Sequence, residues 1–151
     1  PGAGEPSGPH FAAVNNGLAE TTPTAVEYFE ALYDASIRHL DDRLRRFFGD
    51  LEASGLADET TVIFTADHGE EFLEHGKLVH TQIYPENLRI PLIVVPAQHG
   101  GVRIGRIAQT VDFAPTIGDL AGVALPPGLS GTSLAPLLRA PERALSGEAY
   151  S

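Results

Sequence analysis

Thr61–Glu71 reads TVIFTADHGEE, and this stretch decides how the rest of the chain is read. Val62, Ile63 and Phe64 are consecutive apolar residues, the pattern of a strand buried on both faces. The run breaks at Asp67-His68-Gly69, which puts polar side chains at the strand end beside a glycine that frees the backbone to turn. Upstream, Val26, Phe29, Tyr33, Ile37, Leu40, Leu44, Phe47 and Leu51 recur every three or four residues, one apolar stripe over about seven helical turns. Thr24 followed by Glu27 predicts a capping box at its start, and Gly55 predicts its end. The opposite face carries Glu30, Asp34, Arg38, Asp41, Arg45 and Glu52, with Asp34–Arg38 and Asp41–Arg45 at favourable i, i+4 spacing. Downstream, Ile90–Val95 (IPLIVV) is a second buried run, closed by Pro96. A long covering helix followed by buried strands predicts the α/β class, a layered sheet with helices over it.

The flanks are less regular. Residues 1–23 begin PGAGEPSGPH, with three Gly and three Pro in ten positions, and read as a flexible tether to a folded part at 24–151. Gly100-Gly101 predicts a turn and Arg103–Val111 an outer strand. Asp112 reads as the N-cap of a short helix with Pro115 in its first turn and Gly122 at its end. The Pro- and Gly-rich tail holds one short apolar segment, Leu134–Leu138.

Composition narrows the function. The chain has 151 residues, with 20 acidic against 10 basic side chains and a formal charge of −10. With no basic run, that balance argues against nucleic acid or an anionic membrane as the main partner. No apolar stretch approaches the ~18 residues of a membrane span. The absence of Cys excludes disulfides, Cys-ligated metal and thiol catalysis within this chain, and leaves the compartment open.

Chemistry is expected where the first strand ends, because ligands of open α/β sheets bind beyond the carboxyl ends of strands. Asp67 and His68 stand there, an oxygen and a nitrogen donor suited to a divalent cation. Glu70 and Glu71 read as the start of a short helix, where acids favour the dipole, with Glu70 able to orient a metal ligand by hydrogen bonding. Lys77, the only lysine, can contact an anion, and His75 reads as a turn residue. Rival motifs fail: no HExxH occurs, and Gly128-Leu-Ser130-Gly-Thr132 lacks the last glycine of a serine-hydrolase elbow.

Three blocks of sequence raise the specificity of this reading. The first is ALYDASIRHLDDRLRRFFGDLEASGLADETTVIFTADHGEEFLEHG, the second HTQIYPENLRIPLIVVP, and the third TVDFAPTIGDLAGV followed by GTSLAPLL. Together they resemble the C-terminal part of the sulfatase family, within the alkaline phosphatase superfamily. The resemblance implies part of an alkaline-phosphatase-like sandwich, a mixed sheet covered by helices and incomplete in this chain. It implies hydrolysis of a small-molecule or glycan sulfate or phosphate ester. By the same resemblance Asp67 and His68 ligate a catalytic divalent metal, calcium in a sulfatase and manganese or zinc in a phosphoesterase relative. His80 matches the position where the family places a Lys or His that points at the transferred group.

The resemblance also implies parts that these 151 residues lack. The nucleophile, a formylglycine made from Cys or Ser in a Cys/Ser-x-Pro-x-Arg motif or a Thr or Ser in the phosphoesterase branch, is expected upstream, because the chain has no Cys and Ser7-Gly-Pro9-His10 ends in His. The expectation is therefore the C-terminal portion of a larger catalytic domain, inactive alone and partnered by its N-terminal remainder. Two alternatives stay open: a phosphodiester or phosphonate hydrolase or a phosphoglycerol or phosphoethanolamine transferase of the same superfamily, and a non-catalytic fragment.

Overall fold

The computed structural model describes residues 8–97, 104, 105 and 107–139. The chain divides into two units, Pro1–Gly55 with Thr65–Pro91 and Leu56–Phe64 with Leu92–Ser151.

The first unit holds helices α1 (Gly8–Asn15), α2 (Pro23–Ala53) and the short α3 (Pro85–Leu88). Helix α2 is the long helix of the sequence pattern, but its cap is Thr22 rather than Thr24. Thr22 Oγ1 accepts a hydrogen bond from Ala25 N at 3.2 Å, and Pro23 occupies the first turn. Proline lacks an N–H and has its φ already near the helical value, so the first turn loses nothing by holding it. Gly55, in the left-handed region at φ 75°, follows the C-cap Ser54, as expected. Arg45 reaches both Asp41 (2.8 Å) and Asp42 (2.7 Å) on the exposed face. Among the described residues no ion pair joins Asp34 to Arg38.

The apolar stripe of α2 is packed only near its start. Phe29 is buried and meets Phe11 of α1 edge to face, ring centroids 5.0 Å apart, and Tyr33 meets Phe72 at 5.5 Å. Ile37, Leu40 and Phe47 remain about half exposed, so the helix does not bury its whole stripe within these described residues. Helix α1 lies inside the stretch expected to be a tether. Its Phe11 supplies the apolar contact that the Gly- and Pro-rich opening lacks, and Asn15 ties its end to the loop at Leu78.

In the second unit, β1 (Val62–Thr65, whose last residue passes into the first unit) pairs with β2 (Leu92–Val95), two strands among the described residues. Their consecutive apolar residues are half-buried along β1, whereas β2 alternates, leaving Ile93 and Val95 exposed. The apolar runs marked the strands correctly but not burial on both faces, since a run says what can be covered and not what covers it. Residues 104, 105 and 107–109 of the expected outer strand carry no strand; Arg103 and Arg106 lie outside the described residues, as do His99 and Gly100-Gly101. A 3₁₀ turn at Thr110–Asp112 leads into α4 (Phe113–Ala121), which ends at Gly122 with φ 66°. Helix α5 (Ala135–Arg139) starts in the short apolar segment, and Leu134, Ala135 and Leu137 form this unit's buried cluster.

Asp112 stands at the N-cap position of α4 as expected, but its side chain makes no capping bond to that helix. Its carboxylate accepts from Gln109 N (2.9 Å) and from Thr132 N (2.8 Å). Thr116 Oγ1, buried beside it, donates to Asp112 O (2.5 Å) and accepts from Leu134 N (2.9 Å). Two short polar side chains thereby tie the segment after α4 back onto the helix, which satisfies backbone groups that burial would otherwise orphan.

Candidate functional site

Asp67 and His68 are exposed just past β1. Asp67 Oδ1 accepts from His68 N at 3.0 Å. Hydrogen bonds from its own backbone amide and then from that of His68, with the nearby imidazoles of His68 and His80 adding a smaller pull, hold the Asp67 carboxyl below its ordinary range. His68 Nδ1 lies 2.8 Å from the Gly69 carbonyl oxygen. A carbonyl only accepts, so Nδ1 carries a proton and Nε2 is the nitrogen left to act as a metal donor. Nε2 is 3.7 Å from Asp67 Oδ2. Two donors each about 2.1 Å from one cation span up to about 4.2 Å, so this pair fits joint ligation.

Gly69 is needed for a reason other than the turn. It does not take a positive φ; its N–H donates to Asn87 O at 2.8 Å, and a Cβ there would stand 1.9 Å from the Glu86 carbonyl oxygen. The glycine lets the strand-end turn and the start of the 86–88 segment touch backbone to backbone.

Glu70 and Glu71 do not begin a helix. The chain stays irregular through them, and Phe72 forms an antiparallel bridge with Leu78. Glu71 is fully buried (0% exposed), and its carboxylate accepts from His75 N (3.1 Å), Gln82 Nε2 (3.3 Å) and Asn87 Nδ2 (3.2 Å). Its carbonyl accepts from Val79 N at 2.9 Å, and Leu73 N donates to Lys77 O at 2.9 Å. Leu73 (φ 75°) and Val79 (φ 62°) are left-handed without being glycines, strain of about 1–3 kcal/mol each that this bonding sustains.

The folded-back loop brings His80 onto His68, twelve positions apart in sequence, with ring centroids 3.8 Å apart and planes tilted by 30°. His80 Nδ1 lies 3.3 Å from Glu70 Oε1. Lys77 is placed differently from its neighbours: its half-buried ammonium donates to the Asn15 carbonyl at the end of α1, where a cation also suits the helix dipole. Asn15 grips Leu78 at both backbone atoms, Nδ2 to the carbonyl at 2.9 Å and Oδ1 from the N–H at 2.7 Å. His75 stacks on Tyr84 (3.6 Å, 17°) and reaches Glu86 at 3.2 Å. The backbone amide of Glu86 holds the Glu86 carboxyl below its ordinary range; burial opposes it, and the hydrogen bond and charge of His75 add a smaller downward pull.

Asp67, His68 and His80 are thus brought together, while His75 and Lys77 are engaged elsewhere in the loop. No third His, Cys, Asp or Glu joins Asp67 and His68 in a metal-sized cluster among the described residues. Sequence reasoning passed over Asn15, Glu71 as a buried acceptor, and Asn87. Nothing in their spacing marks them; burial and partners distant in sequence do.

The helices and the small sheet fit part of an α/β domain of the alkaline-phosphatase-like class, a fold shared with the solved structures below. Within it, the sulfatase family model matches residues 6–123, and the chain belongs to that family. It is 35% identical over 126 residues to arylsulfatase K of Xenopus laevis, covering 83% of this chain and 24% of that protein. It is 34% identical over 116 residues to the multifunctional alkaline phosphatase superfamily protein PehA of Trinickia caryophylli, covering 75% of this chain and 23% of that protein. The fold is shared with the phosphonate monoester hydrolase of Silicibacter pomeroyi at a TM-score of 0.78 and 26% identity, over 88% of this chain and 26% of that one. A structure in complex with its substrate D-glucosamine-2-N,6-O-disulfate aligns at a TM-score of 0.63 and 35% identity, over 70% of this chain and 22% of that one. The chain spans about a quarter of the length of the curated relatives it matches. Sulfatases generally use a divalent metal ion. No helix among the described residues is long and apolar enough to cross a membrane.

Proposed function

We propose that the protein carrying this chain hydrolyses sulfate esters of small molecules or glycans with the help of a divalent metal ion. In this reading the chain contributes part of the metal site and the nucleophile, a formylglycine, lies on the N-terminal remainder of the catalytic domain. The observation that carries it is the meeting of Asp67, His68 and His80 at the end of β1 in a member of the sulfatase family. Asp67 Oδ2 and His68 Nε2 would hold the ion, calcium in the sulfatase reading and manganese or zinc if the ester is a phosphoryl one. When bound, such an ion supplies Lewis-acid polarisation of the ester and lowers the pKa of the nucleophile.

The chain's own residues then have separable tasks. Asp67 stays ionised because amide donors favour its charged form. Gly69 O holds the proton on His68 Nδ1, so Nε2 is left as the metal donor on the Asp67 side. His80, beside them and half exposed, binds the transferred anionic group. Lys77 adds positive charge to the same loop and holds it against α1.

A second reading has its own support. The likeness to PehA and to a phosphonate monoester hydrolase favours phosphonate or phosphodiester hydrolysis on the same residues. One panel tests both: sulfate, phosphonate monoester and phosphodiester substrates on the full-length protein, stripped with chelator and reloaded with calcium, manganese or zinc. Metal-dependent sulfate release abolished by Asp67→Ala is the expected result. A preference for phosphonate or phosphodiester substrates selects the second reading, and hydrolysis untouched by D67A overturns both. The isolated 151-residue chain is expected to show negligible turnover.

A further inference from the structure

Glu70 and Glu71 are adjacent acids with opposite fates. Neither belongs to a helix, so neighbouring side chains are free to part to opposite sides of the backbone. Glu71 is fully buried, its oxygens occupied by His75 N, Gln82 Nε2 and Asn87 Nδ2. Among the described residues, the side chain that Glu70 meets with an oxygen is His80, whose Nδ1 stands 3.3 Å from Oε1. The sequence suggested that Glu70 orients a metal ligand; its partner is instead the imidazole that lies over that ligand.

The geometry points to Glu70 as the positioning residue for His80, setting which ring nitrogen faces the transferred group. The argument rests on the proposed function and on three constraints. The backbone position of His80 follows from the left-handed Val79, whose N–H is held by Glu71 O at 2.9 Å. The plane of the ring is restricted by its close, tilted contact with His68, centroids 3.8 Å apart and planes 30° apart. Those two constraints leave the ring free to flip, because the outer torsion of a histidine is broad and roughly two-fold. The Glu70 carboxylate removes that freedom. It only accepts, so the nitrogen facing it is the protonated Nδ1, and Nε2 is presented outward. A side chain without an acceptor at position 70 would leave both nitrogens competing for the outward place.

The test is a double-mutant cycle on the full-length protein. Glu70→Ala is expected to lower kcat by ~10–100-fold, the usual effect of losing a hydrogen-bond partner behind a site residue. The metal dissociation constant should stay within about twofold, because neither Asp67 nor His68 is touched. Glu70→Gln, which keeps an acceptor facing Nδ1, should recover most of the lost rate. In a His80→Ala background E70A should add nothing, since Glu70 acts only through that ring. An E70A loss that multiplies with the H80A loss, or an unchanged kcat, overturns the inference. If E70A does not fold, E70Q decides it: a loss within about fivefold that disappears in H80A supports the inference, and one that persists in H80A overturns it. Full activity in H80A or D67A would instead overturn the proposed function, so the two failures are told apart.

Discussion

Asp67 and Asp112 each stand beside a regular element, yet the two regions around them are built on opposite terms. At Asp112 the carboxylate is 9% exposed and both oxygens are occupied by amides, one three residues before it and one twenty residues after it. At Asp67 the side chain is 89% exposed, and its hydrogen bonds come from its own amide and that of the next residue, with none from a distant part of the described chain. The first arrangement consumes the lone pairs to close a fold; the second leaves lone pairs for something that is not protein. Glu71 repeats the first case and the imidazole of His68 the second. Asp112 and Glu71 are buried with their oxygens engaged by protein donors, whereas Asp67, the acid proposed for chemistry, is exposed.

That contrast is open to direct attack. Asp67→Ala should reduce metal-dependent turnover of the full-length protein by at least ~10³-fold, about 4 kcal/mol of transition-state stabilisation, with a melting temperature close to wild type. A large fall in melting temperature would place Asp67 with the structural acids. Gly69→Ala should destabilise by about 2–4 kcal/mol, read by denaturant unfolding, because its Cβ collides with the Glu86 carbonyl. Asp112→Ala should cost about 2 kcal/mol by orphaning the Gln109 and Thr132 amides, while leaving the metal requirement of hydrolysis unchanged. Asn15→Ala, which releases both backbone atoms of Leu78, should cost about 1–2 kcal/mol and raise protease sensitivity in the 71–80 loop.

The smallest effect is a pH dependence. The Glu86 carboxyl is held below its ordinary 4.5, so its ionised form stabilises the fold above that value. The contribution disappears as pH falls through the lower folded-state value. Wild type should therefore exceed Glu86→Gln slightly in melting temperature near pH 6, with the gap closing as the pH falls below the ordinary carboxyl value. A gap that widens on acidification would mean that the ionised carboxylate is not what His75 and the Glu86 amide stabilise.

Much of the scaffold was legible because its signals are local. The stripe from Val26 to Leu51 predicts α2 from spacing alone, and VIF with LIVV predicts both strands. The start of α2 was misplaced by two threonines in competition, although Pro23 favours Thr22. Helix α1 was missed because the glycines and prolines of residues 1–10 outweighed Phe11, whose partner Phe29 lies eighteen positions away. Asp112 was legible as a helix-start residue, but its bond to Thr132 was not.

The site was legible in part for the same reason. Asp67 and His68 announce themselves at a strand end, and the family pattern singled out His80. What puts His80 on His68 is a loop with left-handed Leu73 and Val79, residue types that no local rule assigns to that conformation. Their strain is tolerable only because Glu71, buried among donors from three separate parts of the loop, holds the turn closed.

The sequence by itself determined the helix, the two strands, the acidic character and the identity of the groups available for chemistry, because periodicity and residue type act over a few neighbours. Tertiary structure alone decided which carboxylates are buried and which are free. It also decided why Gly69 must be glycine and which imidazole meets which acid, because those depend on contacts between residues that only a folded chain brings within a few ångströms.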